Sequence, residues 1–147
     1  FMGANISMRY KRFDLQVQMS GAFGHKIYNG TSLTYMNMNT FPTYNVLPDA
    51  PTMNIKDNTV TDYWLEKGDY VNIDYITLGY NFNVKKIDKV IKNIRLTASV
   101  NNVHTFTNYS GLSPMINNTV VGSDMGVDDK RFYPLTRTYS LGLNITF

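Results

Sequence analysis

The sequence predicts an all-β fold, an antiparallel transmembrane β-barrel, and three observations support this prediction. Apolar and polar residues alternate along several segments, which is the pattern of a strand whose two faces meet different environments. Short and long connections between these segments alternate along the chain, as they do in outer-membrane barrels. Aromatic residues gather near both ends of the segments, where a barrel carries its interfacial girdles.

The composition is that of a folded chain without a membrane-spanning helix. Of the 147 residues, 43% are hydrophobic, 14% are aromatic and only 17% are charged, so the chain has enough apolar surface to fold. Polar residues interrupt every apolar stretch before it reaches the roughly 18 residues that a transmembrane helix needs. If the protein lies in a membrane, it therefore crosses it with strands.

The charge pattern argues against a nucleic-acid partner. The formal net charge is only +3, and six of the 14 basic residues lie in two short clusters, at 11–12 and 85–92. No aromatic stacking platform accompanies either cluster, so we interpret both as solvated turns.

About five segments carry the alternation of a strand. In the last segment, apolar residues hold every odd position of the range Tyr139 to Phe147. In the third segment, Ile73 and Tyr75 share one apolar phase and Ile76 begins the other, which predicts a β-bulge at Tyr75 and Ile76. No helix is predicted. The predicted strands cover residues 2–11, 13–20, 70–84, 93–106 and 138–147.

Two connections are long, from Gly24 to Asp69 and from Thr107 to Leu135. Loops of this length are uncommon in compact soluble domains, whereas barrels have short periplasmic turns and long extracellular loops. We therefore predict that the long connections lie outside the cell. Within the first of them, Asn29 followed by Gly30 predicts a turn. On pattern alone, a soluble antiparallel β-sandwich remains the alternative.

Several blocks of sequence resemble the C-terminal region of the SusC/RagA family of TonB-linked outer-membrane transporters, of the Bacteroidota type. They are the hairpin at 10–30, WLEKGDYV and ITLGY within 64–80, NNVHTFTNYSGLSP at 101–114 and RTYSLGLNITF at 137–147. The blocks are collinear with the family and cover more than half of the chain.

This resemblance implies that residues 1–147 are the C-terminal part of a receptor barrel. They would supply about the last five strands of a plugged barrel of about 22 strands, while the plug domain and the TonB box lie outside this chain. The implied location is the outer membrane of a Gram-negative bacterium. We expect both edge strands to pair with strands outside this numbering, because unpaired backbone groups in lipid cost several kcal/mol each.

The resemblance implies TonB-dependent active import of an oligosaccharide or peptide nutrient. The implied partners are a SusD-like surface lipoprotein, TonB acting through the absent N-terminal region, the lipid bilayer and the barrel assembly machinery. Phe147 resembles the aromatic residue that this machinery recognises. A passive porin or structural barrel is one alternative, and a soluble carbohydrate-binding β-sandwich is the second.

Two groups of residues are candidates for contacts with a substrate or with the interior of the barrel. Aromatic side chains that could stack on a sugar or peptide are Trp64, Tyr63, Tyr70, Tyr109 and Tyr133. The polar residues predicted to face the lumen are Arg9, Gln16, Gln18, Asp74, Asn81, Arg95, Thr97 and Asn101.

Neither a catalytic nor a metal site is predicted. His25 and His104 lie far apart, and the chain has no cysteine, so no recognisable ligand spacing is present. Asp124, Asp128 and Asp129 form a cluster without the spacing of a calcium-binding loop, and we predict that these acids are solvated. No nucleophile triad, phosphate-binding loop or acid pair stands out, so we expect no enzymatic activity and no cofactor.

Overall fold

The computed structural model describes residues 1–84, 90–116, 126–129, 133 and 135–147. The chain divides into two compact units. The first unit contains residues 1–22, 70–106 and 135–147, and the second contains residues 23–69 and 107–134.

The first unit is a five-stranded sheet, and it confirms the prediction of an all-β fold. The strands, in spatial order, are β1 (Met2–Tyr10), β2 (Phe13–Ala22), β5 (Tyr70–Asn81), β6 (Asn93–Thr107) and β8 (Thr138–Thr146). The neighbouring pairs β1–β2, β2–β5 and β6–β8 are antiparallel. The third predicted strand is shorter than expected, since it ends before Val84.

The register of the sheet separates an apolar face from a polar one. Val17 lies opposite both Ile6 and Ile76, and Leu141 lies opposite Ala98. Directly opposed residues of an antiparallel pair point to the same face, so the apolar phases of neighbouring strands coincide. The alternation predicted for single strands therefore continues across the sheet.

A β-bulge interrupts the pairing of β2 with β5. Gln18 lies opposite Tyr75, but Met19 lies opposite Ile73, so Asp74 is the extra residue. The bulge lies next to the predicted position. The prediction that Tyr75 shares the apolar phase of Ile73 is wrong, because the extra residue reverses the alternation. Tyr75 therefore lies on the polar face.

Strands β1 and β8 are the edges of the sheet. β1 is exposed along its whole length, and β8 along nearly all of it. Edge strands present unpaired N–H and C=O groups, and these are the groups that we expect to pair with further strands of a larger barrel. The pairing itself stays a prediction.

The second unit is built from a small sheet and short helices. β3 (Lys26–Asn29) pairs antiparallel with β4 (Leu65–Lys67) and parallel with β7 (Val127–Asp128). No helix in the described residues is long and apolar enough to cross a membrane. The helices are α1 (Gly30–Tyr35), α2 (Ala50–Met53) and the 3-10 helices Met38–Thr40 and Asp62–Trp64.

The sequence predicted none of these helices, and that prediction is wrong for the second unit. Each is at most six residues long, which is too short for a helical period to appear in the sequence. The interior that they help to enclose contains Ile27, Ala50, Trp64 and Tyr109.

The Asn29–Gly30 pair marks the junction of a strand and a helix rather than a hairpin turn. Asn29 ends β3 and caps α1, where its Oδ1 accepts a hydrogen bond from the Ser32 N–H at 2.8 Å. A Cβ atom on Gly30 would lie 2.9 Å from the backbone oxygen of Asp128. The glycine is therefore needed for the close approach of two backbone segments, and the asparagine for helix capping.

We expect an arginine on the apolar face of β8 to destabilise the protein in lipid. Leu141 is 78% exposed on this face, and an arginine near the middle of the bilayer costs about 2 to 4 kcal/mol. Leu141→Arg should lower the free energy of unfolding of the full-length protein in lipid vesicles, measured by denaturant titration. Ser140→Arg is the matched control on the polar face, and an equal loss in both variants would contradict the assignment of faces.

Candidate functional site

The polar face of the sheet brings together residues predicted to face the lumen. Asn81 accepts a hydrogen bond from Arg95, and the bulge residue Asp74 accepts one from Ser20. That this face looks into a lumen stays a prediction. The register places the other predicted residues in these pairs: Arg9 with Asp14, Gln16 with Thr77, Gln18 with Tyr75, Arg95 with Asn144, Thr97 with Gly142 and Asn101 with Thr138.

An ion pair crosses the middle strand of the sheet. Arg95 of β6 donates from Nη1 and Nη2 to the two carboxylate oxygens of Asp14 on β2, at 2.8 and 2.6 Å. The Asp14 and Arg95 side chains are 13% and 32% exposed. A bidentate arginine–carboxylate pair is among the stronger polar contacts in proteins and fixes both side chains. It therefore joins β2 to β6 across β5.

Gly79 of β5 makes room for this pair. It lies opposite Asp14 in the register, and a Cβ atom on it would lie 2.5 Å from Arg95 Nη2 and 2.6 Å from Asp14 Oδ2. Sequence reasoning singled out Arg95 but missed Asp14 and Gly79 as its partners. The partnership depends on the register of three strands, which local alternation does not reveal.

A second polar cluster holds the bulge near the other end of the sheet. The Asp74 carboxylate accepts hydrogen bonds from Ser20 Oγ at 2.7 Å and from Asn72 Nδ2 at 2.6 Å. Thr105 donates to Asn72 Oδ1 at 2.8 Å. The Asn72 side chain is buried, and these contacts satisfy its polar atoms. Asp74 is thus fixed in place on the polar face.

In the second unit, the Glu66 carboxylate accepts the hydrogen bonds of a polar network. Its carboxylate accepts from the Ser110 N–H at 2.9 Å, the Ser110 hydroxyl at 2.6 Å and Asn29 Nδ2 at 2.8 Å. Burial acts to raise the pKa of Glu66, but the hydrogen bonds from Ser110 and Asn29 outweigh it and leave the pKa below its ordinary value. The folded unit therefore favours the ionised carboxylate.

Asp128 is a second buried acceptor in the same unit. It is only 2% exposed, and it accepts hydrogen bonds from the Tyr109 hydroxyl at 2.5 Å and from Thr31 Oγ1 at 3.1 Å. Burial, together with the hydrogen bond to Asp128 and its charge, raises the pKa of Tyr109. The prediction that Asp128 is solvated is wrong, while Asp124 lies outside the described residues.

These contacts connect the two long connections of the chain. Asn29, Thr31 and Glu66 belong to the first connection. They form hydrogen bonds with Ser110 and Asp128 of the second. Buried polar groups that are fully paired define one arrangement of the chain around them. The two long connections therefore form a single folded body rather than two independent loops.

The aromatic candidates for substrate stacking differ in accessibility. Trp64 and Tyr109 are 7% and 6% exposed, whereas Tyr63 and Tyr133 are 62% and 79% exposed. Tyr63 packs edge-to-face on Trp64, with ring centroids 4.9 Å apart, and Tyr70 begins β5 in the first unit. Tyr63 and Tyr133 thus present the most open aromatic rings of the set, and a binding role for any of the five stays a prediction.

Within the described residues, no group of three or more histidine, cysteine, aspartate or glutamate side chains could hold a metal ion. His104 instead packs edge-on against Phe106, with ring centroids 4.5 Å apart.

No family model matches the sequence, but curated proteins do. The chain is 30% identical to TonB-dependent receptor P3 of Formosa agariphila, over 99% of this chain and 16% of the receptor. It is 24% identical to the TonB-dependent receptor SusC of Bacteroides thetaiotaomicron, over 99% of this chain and 15% of SusC. The chain thus spans about a sixth of the length of these relatives.

Two solved structures share the fold. The structure of the RagAB peptide transporter matches 99% of this chain and 17% of its own, with a TM-score of 0.77 and 18% identity. The RagAB peptide importer in its closed-closed state matches 94% of this chain and 16% of its own, with a TM-score of 0.75 and 18% identity. At this level of identity, the likeness shows the fold alone.

The two-faced sheet and these comparisons define the chain as a segment of an outer-membrane β-barrel of the TonB-dependent receptor class. Within that class it belongs to the SusC/RagA type. The predicted family, fold and location in the outer membrane of a Gram-negative bacterium are confirmed. A soluble β-sandwich is not the fold of this chain.

We expect Gly79→Ala to disrupt the Asp14–Arg95 ion pair. The added methyl group would overlap the guanidinium and the carboxylate, and losing a hydrogen bond to a charged group costs about 1 to 3 kcal/mol. The free energy of unfolding of the full-length protein should fall accordingly. Asp14→Asn should then cost less in the Gly79→Ala background than in the wild type.

Gly3→Ala is the matched control for this experiment. Gly3 also lies in a strand, β1, but the nearest atom to an added Cβ would be 3.8 Å away. Equal destabilisation by the two glycine substitutions, or full additivity of Gly79→Ala and Asp14→Asn, would contradict a role for Gly79 in accommodating the pair.

We expect the second unit to loosen in acid through Glu66. Because its folded pKa lies below the ordinary value of 4.5, the carboxylate stabilises the folded unit above that pH, and the stabilisation is lost as the pH falls through the folded pKa. Hydrogen exchange in peptides from residues 23–69 of the full-length protein, corrected for the intrinsic rate, should therefore be unaffected by this group above pH 4.5 and accelerate as the pH falls below 4.5. Glu66→Gln should reduce this pH dependence, and Asp62→Asn, at an exposed acid, should retain it. An unchanged pH dependence in Glu66→Gln would refute the assignment.

Proposed function

We propose that this chain forms part of the wall and the extracellular mouth of a barrel that imports an oligosaccharide or peptide nutrient by TonB-dependent active transport. The observation that carries the proposal is the similarity to TonB-dependent receptors along 99% of the chain. The relatives are named receptors rather than enzymes. A passive porin receives no comparable support.

The polar face of the sheet would be the chain's contribution to the interior of the barrel. Arg95 is held by Asp14, and Asp74 by Ser20 and Asn72. Side chains fixed in this way present defined charges and hydrogen-bonding groups without a further ordering cost when a plug or a substrate contacts them. This supports contact of the polar face with a plug domain supplied by another part of the protein, on which TonB would act.

The second unit would be part of the mouth and of the seat for a SusD-like lipoprotein. Its two loops form one body through Glu66 and Asp128, and it exposes Tyr63 and Tyr133. A preorganised surface with open aromatic rings is suited both to docking a protein lid and to stacking on a sugar or a peptide. For assembly, the exposed Phe147 after β8 would be the aromatic recognised by the barrel assembly machinery.

Deleting residues 36–58 tests the role of the mouth. The deleted segment largely closes on itself, since the Met38 N–H donates to the Ile55 oxygen at 2.8 Å and Asn37 Nδ2 donates to Asn58 Oδ1 at 2.6 Å. Its removal should therefore leave the five-stranded sheet intact. We expect the full-length deletion variant to reach the cell surface as a folded barrel but to lose co-purification of the lipoprotein or uptake of the substrate.

Surface-exposed folded barrel, lipoprotein co-purification and substrate uptake are measured separately in this experiment. Normal co-purification and normal uptake with a folded barrel would show that the segment has no part in lid docking or import. The Ser140→Arg variant of the sheet is a useful comparison, because its change lies outside the second unit and should leave lid docking unaffected.

A further inference from the structure

The apolar face of the sheet contains a groove. It forms where Ala98 of β6, a small residue, lies between larger side chains of β5 and β8. The groove has a volume of about 420 Å³. Most of its lining is apolar, and Ser99 and Ser140 complete it. The apolar residues are Ile76, Leu78, Ala98, Val100, Tyr139 and Leu141.

The groove continues along the strands toward the short β1–β2 turn. A second depression of about 290 Å³ shares Leu78 and Ala98 with the first and is also lined by Phe13, Tyr80 and Leu96. Leu96 lies opposite Leu143, four positions along β8 from Tyr139. At about 3.3 Å per residue this distance is about 13 Å. The combined groove is thus comparable in length to one leaflet, half of a hydrocarbon core of about 30 Å.

A cationic side chain lies at the opposite end of the groove. Arg137 directly precedes β8, which begins at Thr138. It lies two positions before Tyr139, about 7 Å along the chain from the groove. It is exposed, and among the described residues its Nη2 donates to the backbone oxygen of Val103 on β6. That contact uses one of the five N–H donors of a guanidinium and holds the group at β6, beyond the Val100 end of the groove.

We propose that the groove and Arg137 form a binding site for a phosphorylated lipid. One acyl chain lies in the groove against Ala98, and the phosphate pairs with the Arg137 guanidinium. Charge and shape support this occupant: the groove is lined by apolar side chains and the end nearest the long connections is cationic, which is the complement of an anionic headgroup on an acyl chain. Arginine binds phosphate through paired N–H donors, and the outer-membrane location of the chain puts lipid against this face.

Native mass spectrometry of the full-length, detergent-solubilised protein tests the proposal with two lipids that have the same acyl chains. Dioleoyl phosphatidylglycerol carries a phosphate, and dioleoylglycerol does not. We expect the phosphatidylglycerol adduct to be retained more strongly. Arg137→Gln should reduce its retention about tenfold, the effect of losing a charge-assisted hydrogen bond, and leave dioleoylglycerol unchanged. Ala98→Leu, which fills the groove, should reduce retention of both lipids.

Two variants control for general effects of these changes. Ala4→Leu adds the same side chain to the apolar face on β1, and Arg12→Gln removes an exposed arginine at the β1–β2 turn; both should bind phosphatidylglycerol like the wild type. Heat-dependent gel mobility verifies that each variant is a folded barrel. Equal retention of the two lipids by the wild type would overturn the proposal, as would undiminished phosphatidylglycerol binding in folded Arg137→Gln and Ala98→Leu. A third outcome would also overturn it: if these variants changed from dimers to monomers while lipid binding stayed the same, the groove would be a contact with a second copy of the protein rather than a lipid site.

Discussion

Inside a bilayer, each backbone N–H and C=O needs a partner within the protein, and the five-stranded sheet is how this chain meets that requirement. The same pairing also fixes which side chains share the apolar face of the sheet. Leu15 lies opposite both Met8 and Leu78, so a slip by one residue would place Gln16 among these apolar side chains. The register of the strands therefore determines the face on which each side chain lies and, by our assignment of faces, its position relative to the membrane. The bulge is tolerated because Asp74, its extra residue, lies on the polar face with Ser20 and Asn72 as partners.

This constraint also determines where the sheet can hold charge. A carboxylate and a guanidinium are costly in hydrocarbon, so the Asp14–Arg95 pair belongs on the polar face. There the pair crosses β5 directly, which requires that β5 have no side chain at position 79. A glycine within a strand costs roughly 0.5 to 1 kcal/mol relative to alanine. A bidentate charged contact stabilises by more than this when it is partly shielded from water. Having glycine at position 79 therefore stabilises the folded sheet, because the ion pair that it permits outweighs the cost of the glycine.

The difference between what could and could not be predicted from the sequence follows from the range of the interactions. Period-two alternation is local, and it located all five long strands and, except at Tyr75, their apolar and polar faces. Burial of Asp128 and of Trp64 depends on contacts between residues distant in the chain, such as Tyr109 with Asp128, and no local pattern carries that information. Asn29 and Gly30 show the same limit at short range. The dipeptide is common to turns and to capped helices, and only the approach of Asp128 to Gly30 decides between them.

In the proposed extracellular position, the second unit would be free of the requirement that shapes the sheet, because loops in water can leave backbone groups to solvent. It still buries Asn29 and Asp128 almost completely, although a buried polar group is stabilising only when it is paired. The partners come from both long connections, so neither loop alone can satisfy them. Removing either set of partners would leave a buried acid or amide unpaired, at a cost larger than the net gain from forming the bond. The arrangement therefore couples the folding of two loops that are separated in sequence by two membrane strands. A unit built in this way keeps its shape as one body, and its exposed residues can vary while Asn29 and Asp128 maintain the frame.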